Sequence, residues 1–111
     1  MSEVAQLEGQ REKLKAQIAR KQVAERLAGN ADFRQLVLEY FCVEECARYA
    51  RESSNLMLSK EDRKEALAIA QSAGHFKRFF SLIIQMGTLA EGNLVELEEA
   101  ISEARAEEDA A

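Results

Sequence analysis

A heptad pattern of apolar residues runs through residues 66–104, ALAIAQSAGHFKRFFSLIIQMGTLAEGNLVELEEAISEA. Steps of three and four residues alternate along it without a change of register, and every position reached is apolar or glycine. These positions, called the seam below, are Ala66, Ile69, Ala73, Phe76, Phe80, Ile83, Gly87, Ala90, Leu94, Leu97, Ile101 and Ala104. Such a repeat is typical of a helix that packs along another helix. We therefore expect one continuous helix over about residues 60–108, roughly 70 Å long.

Two glycines leave an alternative open for this helix. Gly87 and Gly92 lie close together, and a break near residues 87–92 would produce two shorter helices joined by a hinge. Gly87 also lies on the seam, where the close approach of a second backbone would explain a residue without a side chain equally well. At the other end, Ser59 is the expected N-cap, followed by the acidic residues Glu61 and Asp62 in the first turn.

Two more helices are expected before the seam, over about residues 3–28 and 33–52. Gly29-Asn30 is the expected stop of the first, and Asp32 is the expected N-cap of the second. The second helix is apolar on two sides, which predicts a central helix packed by neighbours on both. One side comprises Phe33, Leu36, Val37, Tyr40, Val43, Ala47 and Ala50, and the other Leu38, Cys42, Cys46 and Tyr49. The apolar connector of residues 56–58 should fold back onto the core.

These patterns predict the fold class. The chain has 111 residues, 47% of them hydrophobic and 32% charged, and it lacks proline. That composition favours a single all-α domain over residues 1–111 rather than a turn-rich β architecture. We expect three to four helices in an antiparallel helical bundle or hairpin with one long, heptad-patterned C-terminal helix. The expected core residues are Phe76, Phe80, Ile83, Tyr40 and Phe41.

Charge is distributed unevenly along the chain. The net charge is −5, yet residues 1–28 sum to +2 and residues 88–111 to −7. The two terminal segments are therefore complementary and could pair within one chain or head-to-tail between chains. Solvated helix faces with no pairing are the third possibility. Pairing of this kind would set orientation more than affinity.

No residue pattern predicts catalysis, so we expect neither an enzyme nor a cofactor. Cys42 and Cys46 are one helical turn apart, but a zinc site needs further ligands and His75 is the only histidine. Two buried thiols are the simpler interpretation. The basic residues form no single-sided stripe, so we expect no direct nucleic-acid binding. No apolar run reaches the length of a membrane span, and no small-molecule substrate is indicated.

Four short stretches resemble small proteins encoded by tailed bacteriophages and associated with virion structural genes. They are Asp32-Phe33-Arg34, Glu45-Cys46-Ala47-Arg48, Gly74-His75-Phe76-Lys77-Arg78-Phe79-Phe80 and Gln85-Met86-Gly87-Thr88-Leu89-Ala90-Glu91. The resemblance spans nearly the whole chain and rests on helix-start and packing residues. It implies a phage product in the host cytoplasm or the virion, and it implies no active site.

The functional hypothesis is protein–protein association in virion assembly or as a minor virion component. The partner would be a second copy of the chain or another phage structural protein. The expected interface residues are Leu94, Leu97, Ile101, Val4 and Leu7. The alternative hypothesis is a host-directed inhibitor, either an anti-defence protein or a mimic of nucleic-acid charge, that binds a bacterial protein.

Overall fold

Helices dominate the computed structural model, which describes residues 2–111. Helix α1 spans Glu3–Gly29, α2 spans residues 31–52, and α3 spans Lys60–Ala110. The described part of the chain contains no strand. The all-α class and the long C-terminal helix are therefore confirmed. The helix continues through both Gly87 and Gly92, so the hinge alternative is wrong.

The helix starts follow from side chains that cap free backbone N–H groups. The Ser59 hydroxyl accepts the N–H of Asp62 at 3.0 Å, which confirms the predicted cap of α3. At α2 the expected cap was wrong, because Asn30 rather than Asp32 accepts the N–H of Phe33, at 2.9 Å. Asn30 has extended backbone geometry at this point, as an N-cap requires, and the helix therefore starts at Ala31.

Helix α2 changes its winding along its length. It is α-helical over Ala31–Phe33, π-helical over Arg34–Glu45 and α-helical again over Cys46–Glu52. A π-helix bonds each N–H to a carbonyl five residues back, so residues on one face recur about every four to five positions. This spacing places Phe33, Val37, Cys42 and Cys46 on one line.

The chain comprises two compact units, of which the central unit is residues 26–81. Its core contains Cys42, Cys46 and Ala73, with Val37 and Phe76 packed against them. An aromatic cluster adjoins this core, in which the Phe33 ring lies 6.3 Å from that of Phe76 and 6.0 Å from that of Phe80. The Cys46 thiol donates a hydrogen bond to the Ile69 carbonyl at 3.6 Å. These contacts join α2 to the first part of α3.

Two expected core residues lie elsewhere. Tyr40 is 49% exposed and Phe41 37% exposed, because the π-helical winding rotates both away from the line that faces α3. Leu36 and Val43 are exposed as well. Within the central unit α2 thus buries one face only, and the prediction of a helix covered on two sides is not met there.

The connector between α2 and α3 also differs from its prediction. Leu56 and Met57 are among the most exposed large apolar residues, and only Leu58 is half-buried. The Asn55 side chain accepts the N–H of Met57 at 3.0 Å, and the Asn55 carbonyl accepts the N–H of Leu58. This tight turn leaves Leu56 and Met57 at its tip, where no other element covers them.

The terminal unit comprises residues 2–25 and 82–111. It contains most of α1 and the second half of α3. Its buried residues are mostly small, with Ile101 the largest fully buried side chain: Ala24, Gly87, Ala90, Ile101 and Ala104. Small residues at these positions allow two helices to approach closely.

Candidate protein-interaction surface

Three ion pairs join α1 to α3 in the terminal unit. The Arg105 guanidinium pairs with Glu8, Arg11 lies 3.6 Å from Glu98, and the Lys21 ammonium lies 2.7 Å from Glu91. The pairs run in opposite order along the two helices, because Glu8, the first of the α1 partners, pairs with Arg105, the last of the α3 partners. Glu91, Glu98 and Arg105 are seven residues apart, so all three occupy one heptad position beside the seam. These three pairs form within one chain, which is one of the arrangements that the charge pattern allowed.

The two helices approach each other closely at Gly87 and Lys21. A Cβ built on Gly87 would lie 2.3 Å from the Lys21 Cβ, far inside van der Waals contact. The Lys21 stem thus crosses the α3 backbone at Gly87, and its ammonium reaches Glu91 one turn further on. The Glu91 hydrogen bond raises the pKa of Lys21. Close approach, rather than a hinge, accounts for this glycine.

The five predicted interface residues all lie in the terminal unit. Ile101 is only 2% exposed, so this residue is part of the chain's own packing and not available to a partner. Val4, Leu7, Leu94 and Leu97 are half-buried. Ile101 is buried because α1 covers the seam at this level, as the flanking Glu8–Arg105 and Arg11–Glu98 pairs indicate. An interface role for the other four stays a prediction.

A groove of about 580 Å³ lies between α1 and α3 of the terminal unit. Its lining residues are Gln10, Lys13, Leu14 and Gln17 from α1, and Asn93, Glu96, Leu97 and Ala100 from α3. Lys13 and Glu96 are exposed, and neither makes an ion pair with any residue in 2–111. The groove therefore combines apolar side chains with one free charge of each sign.

An exposed apolar stripe continues the α3 wall of the groove. Leu82, Met86 and Leu89 are all exposed, and they precede Asn93 at steps of four, three and four residues. These residues share a helix face, since side chains three and four apart are neighbours on a helix. Sequence reasoning missed this stripe because it ran beside the stronger seam. Its own three–four spacing was visible in the sequence and could have identified it.

A polar network surrounds Arg48 on α2, in the central unit. The Arg48 guanidinium lies 2.6 Å from both the Glu45 and Glu52 carboxylates, and 4.3 Å from the centre of the Tyr49 ring. Hydrogen bonds from Arg48 and then Tyr40 lower the pKa of Glu45. The hydrogen bond to Glu45 raises the pKa of Tyr40. This network spans the point at which α2 changes from π-helical to α-helical winding, between Glu45 and Cys46.

Cys42 and Cys46 are buried free thiols, as predicted. Burial raises the pKa of Cys42, which disfavours the reactive thiolate. Among residues 2–111, no group of three or more His, Cys, Asp and Glu side chains could hold a metal ion. In the same range, no helix is both long enough and apolar enough to cross a bilayer.

Comparisons with known proteins identify no relative. No protein-family model matches the chain, and neither a curated protein nor a solved structure is significantly similar to it.

Proposed function

We propose that this chain is a non-enzymatic phage protein that acts by protein–protein association, in virion assembly or as a minor virion component. The observation that carries the proposal is the surface of α3 in the terminal unit. An apolar stripe of Leu82, Met86 and Leu89 there leads into a groove lined by Leu14 and Leu97. Aligned apolar residues with a polar rim are typical of a protein-binding surface.

We propose further that α1 and the second half of α3 form an antiparallel helical hairpin, the building block of a bundle. The order of the ion pairs supports this arrangement, because Glu8 pairs with Arg105 while Lys21 pairs with Glu91. A hairpin covers one face of each helix and leaves the other faces free. The free faces would then bind a second copy of the chain or another phage structural protein.

The alternative is a host-directed inhibitor. Exposed carboxylates on the second half of α3, such as Glu96, Glu99 and Glu103, favour a charge mimic among the possible inhibitors. An inhibitor of this kind would bind a basic host protein and would have no place in the mature particle.

Particle composition tests the proposal. An antibody to the chain would be used on gradient-purified phage particles and on infected cells sampled through the infectious cycle. We expect the chain in the particles, or in assembly intermediates late in infection. A chain made early and absent from both would contradict the assembly role and favour the inhibitor. A capsid protein and an early host-takeover protein of the same phage would be the two controls.

A further inference from the structure

We propose that the groove of the terminal unit is the docking surface for a second copy of this chain, placed by a twofold axis that runs parallel to the two helices. This inference rests on the proposed function, since it assumes that the chain acts by association. It adds the identity of the partner and the residues in contact.

The spacing of the lining residues fits a helical occupant. On α1 the groove is lined at residues 10, 13, 14 and 17, and on α3 at residues 93, 96, 97 and 100. Both walls therefore present one face over two helical turns, the pattern by which one helix packs against another. The stripe of Leu82, Met86 and Leu89 extends the α3 wall with further exposed apolar surface.

The charges of the groove indicate that its occupant is a second copy of the chain. They also indicate the direction of the twofold axis that relates the two copies. A twofold interface uses one surface on both copies, so that surface has to be complementary to itself. Lys13 and Glu96 provide this, because they have opposite charges and both lack an ion pair within the described chain. The Arg11–Glu98 pair beside them shows that Lys13 and Glu96 lie at nearly the same level along the two helices.

The direction of the twofold axis follows because Lys13 and Glu96 lie at nearly the same height along the two helices. An axis parallel to the helices places α1 of one copy opposite α3 of the other and preserves the level of each residue. Lys13 of each copy then lies opposite Glu96 of its partner, so that two ion pairs form. An axis across the helices would instead place Lys13 opposite Lys13, which is repulsive. The parallel axis builds a four-helix bundle in which neighbouring helices alternate in direction.

Charge reversal tests the inference, because both side chains are exposed and their replacement should leave the fold intact. We expect Lys13→Glu and Glu96→Lys each to weaken self-association roughly tenfold or more, since two attractive pairs become repulsive. An equimolar mixture of the two variants should recover association as a heterodimer. In that heterodimer the two introduced charges, which are opposite in sign, face each other, and the unchanged Lys13 of one copy faces the unchanged Glu96 of the other. Native mass spectrometry and sedimentation velocity would measure the species and their dissociation constants.

Lys15→Glu and Glu99→Lys are the matched controls, because Lys15 and Glu99 are exposed on the same helices outside the groove. Neither control, alone or mixed, should change the dissociation constant by more than about twofold. The inference is wrong if the groove variants associate as the wild-type chain does, or if their mixture remains monomeric. A wild-type chain that is monomeric up to millimolar concentration also overturns it. Each of these outcomes leaves the assembly role to be judged by particle composition.

Discussion

Gly87 shows how one residue can determine the spacing of two helices. The sequence allowed either a hinge or a close approach at this position, and the choice depended on what lay opposite. Lys21 lies opposite, and its stem occupies the space that a side chain on Gly87 would need. Gly92, five residues further along the same helix, has no neighbour within 4 Å of an added Cβ. The two glycines lie in the same helix, but only Gly87 has a side chain of another helix packed against it.

This difference predicts opposite effects of alanine at the two glycines. Gly87→Ala should destabilise the chain by about 1–3 kcal/mol, because its methyl group overlaps the Lys21 side chain. Gly92→Ala should stabilise it by about 0.5–1 kcal/mol, since alanine restricts the unfolded chain and is the better helix former. Urea unfolding followed by circular dichroism would measure both. Equal effects of the two substitutions would contradict the close approach at Gly87.

The ion pair of Glu45 with Arg48 predicts that the stability of the chain depends on pH. Its pKa is lowered in the folded chain, mainly by Arg48. A carboxylate whose pKa is lowered in the folded chain stabilises the protein above its ordinary pKa, and that stabilisation is lost as the pH falls through the lowered folded value. In Arg48→Met the pKa of Glu45 should move back up toward its usual value. Carboxyl chemical shifts in an NMR titration would show this, with Glu44 as the neighbouring reference. An unchanged Glu45 titration would contradict the pairing.

Helix α2 has two apolar faces, and its winding determines which of them is buried. Its sequence has apolar residues on both sides, and an α-helical period groups Tyr40 and Val43 with Phe33 and Val37. The π-helical segment instead aligns Phe33 and Val37 with the two cysteines, toward α3. The sequence of α2 alone does not distinguish these windings, because the residues that this face contacts, Phe76, Phe80 and Ala73, belong to α3. Long π-helices are also rare, so no pattern would have predicted one.

Two valines of the π-helical segment test this winding. Val37 packs against the core of the central unit, whereas Val43 is exposed. Val37→Ala should destabilise the chain by about 1 kcal/mol, because it removes partly buried methyl groups. Val43→Ala should change the free energy of unfolding by less than about 0.5 kcal/mol. Chemical denaturation of both variants would measure this, and a larger cost at Val43 would favour the regular α-helical period instead.

At the scale of the whole molecule, the chain has more apolar surface than its own helices cover. All twelve residues of the seam are buried or half-buried. The neighbouring stripe of Leu82, Met86 and Leu89 remains exposed, and this exposed apolar surface supports the proposed association. Exposed ion pairs such as Glu8–Arg105 contribute little to stability and more to the register of the helices.

A pair of aspartate substitutions on α3 tests the importance of the stripe. Leu89 is 68% exposed on the stripe, and Val95 is 63% exposed on a different face of the same helix. Leu89→Asp should weaken self-association tenfold or more, because it places a charge within an apolar contact. Val95→Asp should leave the dissociation constant within about twofold. Light scattering on a sizing column would compare them, with circular dichroism to verify that both remain helical. If both substitutions weakened self-association equally, the stripe would not be part of the interface.

The sequence by itself determined the helices, because their formation depends on local features. The three–four spacing of the seam, the Ser59 cap and the Gly29-Asn30 stop are read within a few neighbouring residues. Only the tertiary structure decided that Ile101 is buried, that Tyr40 is exposed and that Gly87 lies against another helix. Each depends on what another helix places opposite: α1 over Ile101, the α3 contacts that accompany the π-helical winding at Tyr40, and Lys21 across Gly87. An apolar residue on a helix can be assigned to a face from sequence. Whether that face meets its own chain or a partner depends on contacts between residues far apart in sequence.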